Sequence, residues 1–317
     1  SLKSNMASNF CFDFEIPENN SEFLLKEQPT QQKEVVELKE TTAKFLNPNQ
    51  NELEVIFNGN FQTQHVKIAD FESATNDASC QLLHLSEAYV ENLIQNVEEY
   101  SSSASNQALK SNTDLIPSVY EGGLKIWECA VDLVNYLHKL FLEKKIDFRN
   151  KTVLELGCGA GLPGIYACLK GASVYFQDYN SEVLEIFTMP NVVLNVNSSR
   201  LDFSKNPSFL DNIKACKFLS GDWDSSKLLL EPNSFDIILT SETIYNIDVQ
   251  KSLYELINFS VKSSGVVFVA AKSYYFGVGG GIDQFVKLVK LDDLFDISKV
   301  TTCTDGVKRE ILIMRRK

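Results

Sequence analysis

The chain has 317 residues and a mass of 35.7 kDa, with 44% apolar, 11% aromatic and 23% charged residues, enough apolar material for one sizeable core. Its longest strand-like apolar run, Val266–Ala271, falls far short of the roughly 18 residues that a membrane-spanning helix needs. The net charge of −12 sits in the first third: residues 1–100 carry 17 Asp/Glu against 6 Lys/Arg, whereas residues 101–317 carry 25 against 24.

Such an acidic arm disfavours unaided nucleic-acid binding and suits a basic protein partner. Seven cysteines, an odd number with no Cys-x-x-Cys, disfavour a disulfide scaffold and structural zinc. The N-terminal residues show no apolar stretch ahead of a small-residue cleavage site, so an intracellular setting is expected.

In chain order, residues 1–50 are polar and acidic without sustained periodicity and are read as a disordered arm. Residues 51–105 form an N-terminal extension. There, alternating Leu53–Phe57, the turn Asn58-Gly59 and alternating His65–Ile68 predict a small hairpin. A helical pattern spans Gln81–Tyr100, and Ser101–Ser105 reads as a flexible connector.

From residue 106 the texture becomes that of an α/β domain, a Rossmann-like sheet with helices on both faces. Leu124, Trp127, Val131, Val134 and Leu137 lie at helical spacing. Strands are expected at Thr152–Leu156, Ser173–Gln177, Lys217–Leu219, Phe235–Thr240, Gly265–Ala271 and Val307–Met314, with a weaker one near Phe295–Val300. Helices are expected at Gly164–Lys170, Val183–Asn195, Val249–Val261 and Ile282–Asp292. Several strands are continuously apolar, as buried parallel strands are.

The first of these strands runs into Gly157-Cys158-Gly159-Ala160-Gly161 and then a helix. Leu162 stands where a dinucleotide fingerprint has its third glycine, and no Gly-Lys-Ser/Thr follows, so neither NAD binding nor an NTPase fits. The second strand ends at Asp178, 21 residues after Gly157, where a carboxylate can accept from both ribose hydroxyls. A glycine turn and a terminal acid without a pyrophosphate grip describe an adenosine pocket and suggest S-adenosylmethionine. Glu155 is then the expected partner of the ligand's ammonium, its alternative being a helix-capping acid. Gly221-Asp222-Trp223, after the third strand, offers a carboxylate to the adenine amino group and an indole to the base.

These residues resemble the seven-strand S-adenosylmethionine-dependent methyltransferases from about Ile116 to the C-terminus. Four segments, Tyr120–Cys129, Phe176–Asn180, Leu239–Asn246 and Tyr275–Gly281, resemble those of the histidine protein methyltransferases. The resemblance implies that Trp127, Glu128 and Cys129 line the cofactor pocket, that Gln177, Asp178 and Tyr179 flank the ribose, and that Ser241 sits beside the transferable methyl. It further implies a histidine of a basic large-subunit ribosomal protein as acceptor, and a cytoplasmic and nuclear location. Glu242 would accept the N–H of the far ring nitrogen, with Tyr245 and Asn246 orienting the ring. The glycine-rich segment that opens with Tyr275, Phe276 and Gly277 would form a lip for the substrate.

Glu242-Thr243-Ile244-Tyr245 also matches the acidic-x-x-Tyr motif of related lysine methyltransferases, which keeps lysine open as acceptor. So does a different class of function, a nucleoside-binding escort whose acidic arm holds a basic partner. His65, His84 and His138 pair with no carboxylate or cysteine at catalytic spacing, and Cys158 reads as a small buried thiol, so hydrolase chemistry has no support.

Overall fold

The computed structural model describes residues 42–58, 61–67, 81–196 and 213–317. Most of the expected disordered arm, and Gly59 of the expected turn, lie outside them. The first described elements are β1 (Lys44–Leu46), α1 (Gln50–Asn58), β2 (Thr63–Lys67), β3 (Gln81–Leu85), α2 (Glu87–Asn96), α3 (Ala104–Lys110) and α4 (Glu128–Leu142). Then follow β4 (Thr152–Leu156), α5 (Leu162–Leu169), β5 (Ser173–Asp178), α6 (Ser181–Val183), α7 (Met189–Val196), β6 (Cys216–Ser220) and α8 (Trp223–Lys227). The chain ends with β7 (Phe235–Ser241), α9 (Ile247–Ser260), β8 (Val261–Lys272), α10 (Ile282–Val289), β9 (Phe295–Cys303) and β10 (Arg309–Arg316).

The main sheet has the order β1-β6-β5-β4-β7-β8-β10-β9. Its five central strands are parallel, β10 runs antiparallel to β8 and β9, and β1 adds an antiparallel edge beside β6. The seven expected strands are therefore present, and β1 is an eighth. Because successive strand residues point to opposite faces, Val153, Ile237, Phe268 and Ile311 enter one core and Leu154, Ile238, Val267 and Leu312 the other. Helices α4, α5 and α7 cover the first face, α9 and α10 the second. Strand order reverses on either side of β4, which opens a crevice at the carboxyl ends of the strands.

The N-terminal part departs from expectation. Leu53–Phe57 is helical: Leu53, Ile56 and Phe57 share one buried face while Val55 is exposed, a three-to-four residue period rather than two. A two-stranded antiparallel sheet does exist, but β2 pairs with β3, which opens the segment expected to be wholly helical. Within the expected disordered arm, Lys44–Leu46 forms β1 and Gln50 opens α1. Ser101–Ser105 is no flexible connector. Ser103 caps α3 by accepting from Asn106 N, and buried Ser105 gives its N–H and hydroxyl to Glu182 Oε1 at 3.2 and 2.9 Å.

The second smaller departure is internal to Val183–Asn195. The expected helix is split by a π-helical turn at Leu184–Thr188, which puts the Thr188 hydroxyl 2.6 Å from the Gly159 carbonyl.

Asparagines of α7 hold the small sheet in place. Asn195 Oδ1 accepts from Leu83 N at 2.9 Å and its Nδ2 donates to Leu83 O at 2.7 Å, while Asn191 Oδ1 accepts from Leu85 N at 2.8 Å. Asn191 Nδ2 donates to Ala160 O at 3.0 Å, joining the same helix to the glycine turn. Replacing Asn195 by Leu is expected to lower stability by about 1–3 kcal/mol, the cost of stranding the Leu83 N–H and C=O. Urea unfolding measures the loss, and amide exchange at Leu83 should accelerate ahead of the central strands; unchanged protection there would contradict the docking role.

Candidate active site

A cavity of about 260 Å³ lies at the carboxyl ends of the parallel strands. Its floor is the turn after β4, where Gly157 and Gly159 present backbone alone. Gly159 has φ +49°, and a Cβ there would stand 3.0 Å from the Gly123 carbonyl, so a side chain would be strained and crowded. Gly161 turns away from the cavity and starts α5, packed against Phe176 and Thr188.

Three side chains tie the strand ends together. Gln177 Oε1 accepts from Gly157 N at 3.3 Å and from the Trp223 indole at 3.0 Å, while its Nε2 donates to Gly221 O at 2.7 Å. Asp178 Oδ2 accepts from Gly159 N at 2.8 Å and Oδ1 from Asn180 N at 3.3 Å. Burial pushes the Asp178 carboxyl up to about 6, against the pull of those two N–H groups. Gly221, at φ +120°, leaves no room for a Cβ, which would meet the Ala43 backbone at 2.6 Å, so the residue before β1 backs this wall. Asp222 and Trp223 line the cavity, with Asp222 also capping α8 by accepting from Ser225 N and Oγ at 2.6 and 2.9 Å.

The opposite wall comes from β7 and from the segment before α4. Ser241, Glu242 and Tyr245 line the cavity together with Tyr179, whose hydroxyl donates to Ser118 O at 2.8 Å. Glu242 has φ +57°, unusual for a residue with a side chain and typical of strain kept at functional sites. Its Oε2 accepts from the Tyr275 hydroxyl, and among the described residues no hydrogen-bond donor meets its buried Oε1. Burial and the Glu242 charge push the Tyr275 phenol up; burial and Glu121 do the same to Tyr245, whose hydroxyl donates to Glu121 Oε2.

Several expected site residues lie outside the cavity lining. Glu155 takes the capping alternative: its Oε2 accepts from Gly164 N at 2.8 Å in the first turn of α5, and burial holds its carboxyl well above the usual range. Glu128 faces Lys272 at 3.4 Å. Cys129 is buried behind Glu242, which with burial pushes its thiol up. Asn246, expected to orient a ring, caps α9 by accepting from Asp248 N at 3.0 Å and is not among the lining residues. Tyr275 touches Glu242 through its hydroxyl, whereas Phe276 is 78% exposed and a Cβ at Gly277 would meet nothing within 4 Å.

Glu121, Gly122 and Gly123 were not singled out, although they line the cavity beside Trp127. The signal available was their place inside the segment 120–129. Thr243 was missed as well; its methyl lies 2.5 Å from where a Gly157 Cβ would stand. His84 and His138 make buried contacts with Leu85 O and Tyr166 Oη, and Cys158 is a buried thiol raised by burial. Among the described residues no group of three or more His, Cys, Asp or Glu is placed to hold a metal ion.

A family model described as lysine methyltransferase matches residues 103–277, more than half of the chain. Histidine protein methyltransferase 1 homologs from Dictyostelium discoideum and Rattus norvegicus are 46% and 37% identical over 67% and 80% of this chain. The chain spans 63% of the first relative's length and 74% of the second's. EEF1A lysine methyltransferase 3 of Xenopus tropicalis is 29% identical over 46% of this chain and 56% of its own. The chain belongs to this family of S-adenosylmethionine-dependent methyltransferases and is related to the histidine protein methyltransferase 1 homologs.

The carboxyl of Asp178 supplies a test of the cavity electrostatics. Because its folded value rises from 3.8 to about 6, its contribution to stability is full below pH 3.8 and is lost as pH rises through about 6. Between pH 4.5 and 7.5, Asp178→Asn should therefore gain about 2 kcal/mol in unfolding free energy relative to the parent, both without cofactor. Urea titrations at the two pH values check this; a difference that does not change with pH would contradict it.

Proposed function

We propose that the chain transfers a methyl group from S-adenosylmethionine to a ring nitrogen of a histidine in a protein. The observation that carries this reading is Glu242: a carboxylate at the cavity wall, held by Tyr275 through one oxygen, with the other oxygen buried and unmet by any donor among the described residues.

The lining fits the cofactor. Glycine backbone at 157 and 159 leaves the floor open where side chains would fill it, Asp178 offers a carboxylate for the ribose, and Trp223 an aromatic face for the base. Bound there, the cofactor supplies an electrophilic methyl on a sulfonium. A neutral imidazole, with an ordinary pKa near 6.5, already offers a lone pair at pH 7, so no strong base is needed. Transfer of that methyl to the ring nitrogen would leave the S–CH₃ electron pair on sulfur, and the chain's part would be to hold the two reactants in line. The Glu242 carboxylate would accept the N–H of the other ring nitrogen, which fixes the tautomer and stabilises the positive charge that grows on the ring. The N–H proton then leaves through that carboxylate to water. Catalysis is chiefly positioning.

Two features favour an extended protein acceptor over a small molecule. Tyr274, Phe276, Val278 and Ile247 are exposed apolar residues, and the first two flank in sequence the Tyr275 that holds Glu242. The relatives that match over most of the chain are protein methyltransferases by name. A basic large-subunit ribosomal protein as acceptor, and a cytoplasmic and nuclear location, rest on the resemblance of the motif segments; the −12 net charge complements a basic partner. Lysine as acceptor is the second reading, favoured by the description of the matching family.

Purified chain incubated with labelled S-adenosylmethionine and heat-treated lysate, followed by acid hydrolysis of the labelled bands, decides between them. Methylhistidine in a basic ribosomal band is expected. Methyllysine alone would move the function to the second reading, and cofactor binding without transfer would favour the escort role.

A further inference from the structure

Glu242 lines the cavity, and a lysine outside the lining stands against it. Lys272, the last residue of β8, brings Nζ to 3.9 Å from Glu242 Oε1 and 3.4 Å from Glu128 Oε2. The first distance is too long for a hydrogen bond but short enough for strong charge compensation. The ammonium also lies 5.6 Å from the centre of the Trp127 ring and 5.9 Å from that of Tyr275. Side chains of Lys272 and Glu242 are 22% and 7% exposed, so water screens their interaction weakly. Tyr275 and Cys129 also face the carboxylate, and neither brings a positive charge.

This arrangement treats the two candidate acceptors differently. A neutral imidazole can donate its N–H to the Glu242 carboxylate and enters without a charge of its own. A lysine arrives as an ammonium, must approach a carboxylate whose counter-charge is already in place, and is repelled by the like charge of Lys272 beyond the lining. We infer that Lys272 is a specificity-determining residue that keeps the site for neutral imidazole acceptors and turns lysine away. The inference rests on the histidine reading above and goes beyond it by naming what rejects the alternative acceptor; specificity of this kind requires a repulsive element as well as an attractive one.

The test compares the parent chain with Lys272→Met, Lys272→Gln and Lys272→Arg. Each is given labelled S-adenosylmethionine and the same heat-treated lysate, and methylhistidine and methyllysine are quantified after hydrolysis, with a no-enzyme control subtracted. The ratio of methylhistidine to methyllysine should fall by about tenfold or more in the Met and Gln variants, since both remove the charge. Arg, which keeps the charge, should restore it to within about threefold of the parent. A merely structural role would lower both products together and leave the ratio where it was; that result in either neutral variant overturns the inference. A parent that labels lysine alone overturns both the inference and the histidine reading, whereas a parent that labels histidine with a ratio unmoved by Met or Gln overturns the selection alone.

Discussion

The side-chain amide of Gln177 joins the ends of three parallel strands. It receives the Gly157 N–H at the end of β4, gives its own N–H to the Gly221 carbonyl after β6, and also receives the indole N–H of Trp223. Buried to 1% exposure, it has no water to compete for those bonds. A parallel sheet leaves its carboxyl ends as loops with unpaired backbone groups, and here one amide satisfies two of them and an indole N–H while spacing the loops around a cavity. The glycine floor, the Asp178 carboxylate and the Trp223 wall all take their positions from this junction.

Around the junction the molecule uses short polar ties between segments distant in sequence. Thr188 and Asn191 hold the carbonyls of Gly159 and Ala160 from the helical side, and Glu155 holds the amide of Gly164. The N-terminal extension is tied in by the same means. Glu87, in the first turn of α2, accepts from Ile126 N at 2.6 Å, directly before the Trp127 that lines the cavity. Leu82, Leu85, Val90 and Ile94 share the core with α4 and α5. The extension therefore supports one wall of the site.

The sheet was legible in the sequence because its strands are continuous apolar runs bounded by glycine and acidic turns, and Val153–Gly161 and Asp178 stand where expected. Errors cluster where a side chain acts across a long span. Leu53–Phe57 contains both a period of two and, through Leu53, Ile56 and Phe57, a helical face, and only burial against the core selects the helix. Strand β3 depends on asparagines more than a hundred residues away. The serines of 101–105 look like a linker by composition, yet one caps a helix and another is buried against Glu182. In the site, Asn246 carries a side chain suited equally to capping and to catalysis, and local geometry spends it on the cap. Glu121 was missed because its partner, Tyr245, lies 124 residues further on.

In the proposed reaction the chemistry converges on Glu242, a residue in a left-handed backbone conformation that is anchored by Tyr275 and faced by Lys272. Glu242→Gln keeps the shape of that side chain and removes its charge, so it separates holding the cofactor from moving the methyl. The direct measurement pairs calorimetric binding of S-adenosylmethionine with single-turnover transfer to the lysate acceptor for parent and variant. Cofactor affinity within about threefold, with transfer slowed by about 10²-fold or more, is the expected result. Transfer at the parental rate would remove Glu242 from the reaction and contradict the account.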